Sequence, residues 1–209
     1  MKQTICACCI ATIAYAIGSP ASATAIWSDE FNRSNSNTVG NNWVELGDNN
    51  NDVGIQSNAL RLRDELPGNP DAAATQVSIS TVGFNAINVS YAWAPLTESD
   101  SGDYLHAAWK VSSSTNWIEL VAGDGHGLGG SGSPYTPANY SLGNLADNTS
   151  IDFRFWTDVS DSDEGALIDY VRFTGTAIQA AAVPEPAALT LLAAGLLGLG
   201  TVRRRRTVI

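Results

Sequence analysis

The chain has 209 residues, with 21 acidic and 11 basic side chains and a formal net charge of −10. All but one of the acids, but only six of the bases, lie between Ile26 and Val183, so this body carries a net charge near −14. Such a surface argues against nucleic acid and anionic lipid as partners, while a neutral or cationic polymer or a calcium-rich exterior remains compatible.

The N-terminus opens with Lys2, then an apolar run through Ile5, Ile10, Ile13 and Ile17. Gly18 and Pro20 follow, and then two overlapping small-x-small sites, Ala21-Ser22-Ala23 and Ala23-Thr24-Ala25. A positive start, a short apolar centre and a small-residue cut site predict a secretory signal peptide over residues 1–25, cleaved after Ala23 or Ala25. Cys6, Cys8 and Cys9 all fall inside it. The mature chain is therefore expected to hold no thiol, no disulfide and no cysteine metal ligand.

Residues 26–175 are a common size for one domain. Period-two alternation, not helical spacing, recurs along them. Ile87, Val89, Tyr91 and Trp93 alternate with smaller or polar residues, as do Leu105, Ala107, Trp109 and Val111, and then Ile151, Phe153 and Phe155. Trp43 to Leu46, Asn58 to Arg63, Thr75 to Thr81, Trp117 to Val121 and Ala166 to Phe173 are further predicted strands. Clusters of Asn, Asp, Gly, Ser and Pro separate them. Many half-buried strands joined by turn residues predict an all-β, two-sheet β-sandwich.

Several groups in this body invite a chemical reading. Gly125-His126-Gly127-Leu128-Gly129-Gly130 has the letters of a dinucleotide loop, but Ser131-Gly132-Ser133-Pro134 cannot start the helix that would receive a pyrophosphate. It reads as a loop. His106 and His126 are the only histidines, too few for a zinc site without cysteine; His106, on the more polar side of its strand, reads as a surface residue. Asp169 lies between Leu167 and Val171 on an apolar alternation, where a carboxylate needs a partner or a metal. With Asp29 and Glu30 in the first strand, it is the expected ligand set for one structural Ca²⁺; backbone amides are the alternative partners. Trp117 and Trp156 break the buried series of their strands. They are the expected ligand-stacking residues, although a packed sheet would bury them equally well. Glu98 and Glu119 are isolated, and no strand carries the paired carboxylates that glycoside hydrolysis needs. The body is therefore read as non-catalytic, with a secreted carbohydrate-active enzyme as the alternative.

Residues 176–186 form an Ala-rich linker ending in Val183-Pro184-Glu185-Pro186. Ala187 to Val202 is sixteen uncharged residues, followed by Arg203, Arg204, Arg205 and Arg206. As a helix the apolar run would be ~24 Å long at ~1.5 Å per residue, a short membrane span. The arginines would hold its end in the cytoplasm, so residues 187–209 are predicted as a transmembrane helix and cytoplasmic tail with the domain outside.

The order Val-Pro-Glu-Pro, short apolar helix and terminal arginine cluster resembles the PEP-CTERM sorting signal. That resemblance implies exosortase as a partner, an inner-membrane precursor, cutting near the Pro-Glu-Pro and delivery to the cell surface or an exopolysaccharide matrix. In the body, Trp27-Ser28-Asp29-Glu30-Phe31, Trp117-Ile118-Glu119-Leu120 and Phe153 to Val171 resemble strands of concanavalin-like and jelly-roll modules, which implies polysaccharide binding and a calcium ion as expectations.

Overall fold

The computed structural model describes residues 22–47, 51–63, 72–130 and 134–179. The chain divides into two compact units, residues 1–177 and 178–209, and the second is described only at Ile178 and Gln179. The signal peptide, Val183 to Pro186, the apolar run and Arg203 to Arg206 all lie outside the described residues. Among the described residues, no helix is long and apolar enough to cross a membrane.

The first unit is a sandwich of two antiparallel six-stranded sheets. Its strands are β1 (Ala23–Asp29), β2 (Trp43–Leu46), β3 (Val53–Gln56), β4 (Ala59–Arg63), β5 (Ala73–Ser80) and β6 (Phe84–Pro95). There follow β7 (Tyr104–Val111), β8 (Ile118–Glu119), β9 (His126–Gly127), β10 (Thr136–Ser141), β11 (Ser150–Asp158) and β12 (Gly165–Ala177).

In the first sheet the order is β10-β6-β12-β4-β3. β12 is long enough to pair twice along the same edge, with β4 through Gly165 to Ile168 and with β1 through Val171 to Thr176. In the second sheet the order is β2-β5-β11-β7, and β8 and β9 share the outer edge of β7.

The alternation seen in the sequence is what closes the two sheets on each other. Inward residues from β6 (Ile87, Val89, Tyr91) and β12 (Val171, Phe173) meet Leu105 and Trp109 of β7 and Phe153 and Phe155 of β11, all essentially fully buried. Aromatic pairs tie the layers together: Tyr91 meets Phe155 edge-on with centroids 5.0 Å apart, and Phe153 meets Phe173 at 5.2 Å. Trp43 stacks near Phe155 at 6.4 Å and contacts Trp27 at 6.0 Å. Separations of this kind are favourable for aromatic pairs beyond the area they bury.

β12 departs from the expected alternation. An irregularity between Ile168 and Tyr170 shifts its register against β6, so Ile168 and Val171 are both buried although three residues apart. A bulge of this kind adds one residue and reverses the facing of everything beyond it. Asp169 sits in that bulge, half-buried, and does not share the buried face with Val171. The predicted strand Trp117 to Val121 is reduced to the two residues of β8.

Candidate functional site

The outward rows of β7 and β11 lie side by side. Trp156 pairs with His106, Arg154 with Ala108, and Asp152 with Lys110. Across the other edge of β11, Arg154 faces Thr75 and Trp156 faces Ala73, and Glu119 of β8 stands beside Ala108. Small side chains at Ala73, Thr75 and Ala108 leave the large ones room to lie along the sheet.

The result is a ladder of rings and cations on one face. The rings of His106 and Trp156 stack at 3.7 Å with planes 9° apart. The Arg154 guanidinium lies 4.3 Å from the Trp117 ring and 5.7 Å from that of Trp156, so it stands between the two indoles. Lys110 Nζ is 5.4 Å from the far side of the ladder, the Trp117 ring. Guanidinium and ammonium groups are attracted to indole faces in this arrangement.

Carboxylates hold the ladder in register. Glu119 lies 3.4 Å from Arg154 through one oxygen and 4.0 Å from His106 Nδ1 through the other. Asp152 accepts bonds from Lys110 Nζ at 2.9 Å, Ser112 Oγ at 2.7 Å and the Ser78 amide at 2.9 Å. Burial raises the Asp152 carboxyl, but those bonds together outweigh it and hold the group below the ordinary carboxylate range.

His106 is only 9% exposed, not the surface residue that its polar neighbours suggested. Trp156 covers it. Burial pushes its pKa down, and the nearby carboxylates of Glu119 and Asp158 pull the other way. Among the described residues, His106 Nε2, Arg154 Nε and Trp156 Nε1 of the ladder find no hydrogen-bond partner. Buried polar atoms without partners are uncommon in folded proteins. The apolar side of the same face continues over β2, where Val44 and Leu46 point outward, 46% and 53% exposed.

Of the residues singled out in the sequence, Trp117 and Trp156 are brought together here. The expected calcium ligands are not. Asp29 is buried and accepts bonds from the Phe31 amide at 2.8 Å, both terminal nitrogens of Arg33 at 2.8 and 2.9 Å, and Trp43 Nε1 at 3.0 Å. Glu30 pairs with Arg172 through both oxygens, at 2.7 and 2.6 Å. Asp169 lies in its bulge, and the other two expected ligands both pair with arginines. Among the described residues, the carboxylates that do converge are Asp100, Asp103 and Glu164, with ligand atoms within 4.8 Å of one another. Their oxygens already receive the amides of Asp100, Ser160 and Asp161, which accounts for them as braces of two loops.

The glycine-rich segment also takes a definite shape. His126 and Gly127 form β9, and His126 turns inward onto the first sheet. Gly125 is required there for space. Its φ is +103°, and a Cβ would stand 2.9 Å from the Leu105 carbonyl and 3.2 Å from the His106 ring.

Residues 182–206 match the PEP-CTERM protein-sorting motif. The chain is thereby an exported, surface-sorted protein, and the motif implies processing by exosortase. No curated protein matches the sequence. In fold the chain is similar to SCLam, a non-specific endo-β-1,3(4)-glucanase from family GH16, with a TM-score of 0.51 and 12% identity over 75% of this chain and 92% of that one. It is similar in the same way to the laminarinase from Rhodothermus marinus, with a TM-score of 0.50 and 8% identity over 77% of this chain and all of that one. At such identities the likeness is one of fold.

Proposed function

We propose that the protein is a cell-surface or matrix component whose second sheet binds polysaccharide on its outer face without cleaving it. The observation that carries this reading is the pair of half-exposed indoles, Trp117 and Trp156, held apart by Arg154 on one face. Sugar rings present flat C–H surfaces that stack on indole, and their hydroxyls need donors and acceptors at the ring edge. Arg154 and Glu119 supply such groups. The strongly acidic body favours a neutral polymer over a uronic-acid one.

The carboxylates of this face suit binding better than hydrolysis. A glycosidase acid must stay protonated near neutrality. Asp152 is held in the opposite state by Lys110, Ser112 and Ser78, and the two oxygens of Glu119 are turned to Arg154 and His106. The alternative, a secreted carbohydrate-active enzyme on the same fold, predicts oligosaccharide release.

The test is binding to immobilised polymers, beginning with the β-1,3(4)-glucan named for a neighbour of similar fold and with the exopolysaccharide of the source cells. Trp117→Ala and Trp156→Ala should each weaken retention by about 10- to 30-fold, the ~1.4–2 kcal/mol expected of one buried aromatic contact. Undiminished binding by both variants, or turnover of the polymer by the unaltered protein, would defeat the proposal.

A further inference from the structure

We propose that His126 is a positioning residue for this face: its ring pins the excursion between β7 and β10, and with it Trp117 and Glu119, across the sandwich to the first sheet. The inference rests on the binding reading for its functional consequence, but the physical latch stands without it.

Residues 112–130 leave the end of β7 and return to the same strand. The excursion pairs with β7 through only two residues at β8 and two at β9. Backbone bonds from Leu120 to the Ala107 carbonyl and from Leu128 to the Asp103 carbonyl, 2.9 and 2.8 Å, supplement them. Two such short strands on an edge are weakly held by their ladder alone. Two side chains of β9 and the residue after it go inward instead. Leu128 is fully buried, and the His126 ring lies over Trp93 at 4.6 Å with Nε2 2.8 Å from the Tyr91 hydroxyl. Trp93 and Tyr91 belong to β6, in the opposite sheet. The close approach at Gly125 leaves the chain before His126 little room to back away.

The titratable groups that face this ring are Tyr91 from β6, Tyr140 from β10 at 6.5 Å between ring centres, and His106 from β7; the charge of Glu119 on β8 reaches Tyr91. Among the described residues, no carboxylate acts on His126 to favour its charged form. Burial first, and His106 second, push its pKa down to about 4. Burial likewise holds the Tyr91 phenol far above its ordinary range, so the hydroxyl keeps its proton and bonds Nε2 as donor or acceptor according to the ring tautomer. A proton on the ring puts a positive charge between the sheets, where burial penalises it and the Tyr91 hydroxyl oxygen and the Trp93 face are its neighbours. The folded pKa lies below the unfolded value, so the latch is fully engaged above pH ~6.5 and is lost as pH falls from there towards 4.

Amide exchange along residues 112–130 of the processed protein, corrected for the intrinsic rate and referred to β11, reads the latch directly. In the unaltered protein, protection should fall at least tenfold between pH 7 and pH 4.5, and glucan retention should fall with it. His126→Phe keeps a ring over Trp93 but cannot titrate, so both profiles should become flat. Tyr91→Phe removes the hydroxyl that bonds Nε2 and should lower protection already at pH 7, which keeps the test decisive should His126→Phe fold poorly. A flat exchange profile in the unaltered protein, or an unchanged one in His126→Phe, overturns the latch. Exchange that responds to pH while glucan retention does not overturns the positioning role. Expected exchange with no glucan retained at any pH sinks the polysaccharide reading and leaves the latch supported.

Discussion

Removing the Asp29 carboxylate separates a protein-held charge from a metal-held one. Asp29 is 5% exposed and accepts four bonds, from the Phe31 amide, two Arg33 nitrogens and Trp43 Nε1. In Asp29→Ala the indole N–H and the amide lose their acceptor inside the core, while Arg33 keeps its bond to the Val39 carbonyl and its contact with the Phe31 ring. Truncating one partner of a buried pair costs ~3–5 kcal/mol. The Arg33 side chain is 25% exposed and recovers some hydration, which places the loss near the lower end, about 3 kcal/mol. For a domain of this size that is a fall in melting midpoint of roughly 6–12 °C.

The assay is urea and thermal unfolding of the sandwich in millimolar calcium and again in excess chelator. Because the carboxylate is satisfied by protein groups, the loss should be the same in both buffers. Burial raises the Asp29 carboxyl, but the bonds from Arg33, Phe31 and Trp43 outweigh it and leave its pKa lowered. Its contribution is therefore present above the ordinary carboxylate range and is lost as pH falls through the folded value, so the curves of variant and unaltered protein should converge in strong acid. A loss below about 1 kcal/mol, or one that disappears in chelator, refutes this account; the second result would restore the calcium role expected from the sequence.

Gly165 opens β12 at φ +150°, where a side chain would overlap the Leu62 carbonyl; its amide and carbonyl are also bonded to Ser99 Oγ. Gly165→Ala should cost ~2–4 kcal/mol, read as a lower urea midpoint, and an unmoved midpoint would show that β4 and β12 can separate locally. For the tail, mass spectrometry of exported protein should find chains that end near Pro184 to Pro186, and deleting those three residues should hold the protein in the membrane fraction. Exported chains that still end at Ile209 would refute processing at that motif.

The sandwich was legible because inward alternation survives in the sequence of its central strands. β3 and β10 were not: β3 has four residues, and β10 carries Pro137, which only an edge strand tolerates. The two indoles of the outer face showed themselves where Trp117 and Trp156 interrupted a buried series. His106 did not, because nothing in a single strand reveals that Trp156 of β11 will lie over it. Strict alternation puts Asp169 on the face of Val171, and the bulge takes it off that face, since one inserted residue reverses a strand's facing without altering its composition. Asp29 entered the sequence reading only as a companion of Asp169 at a cation; its partner Arg33 reaches it through the turn after β1, whose path the strand pattern does not encode.

The first strand has a graded construction. Its outer segment, Ala23 to Ala25, is exposed at every position and is separated by a register shift from Trp27 to Asp29, which carry the contacts with Trp43, Phe173 and Arg33. The two predicted cleavage sites, after Ala23 and after Ala25, both fall in the dispensable part. Cutting at the later one removes three ladder positions opposite Thr174 to Thr176 and no core side chain. The fold therefore tolerates an imprecise peptidase: mature chains differing by two residues at their start should share one structure and nearly one stability.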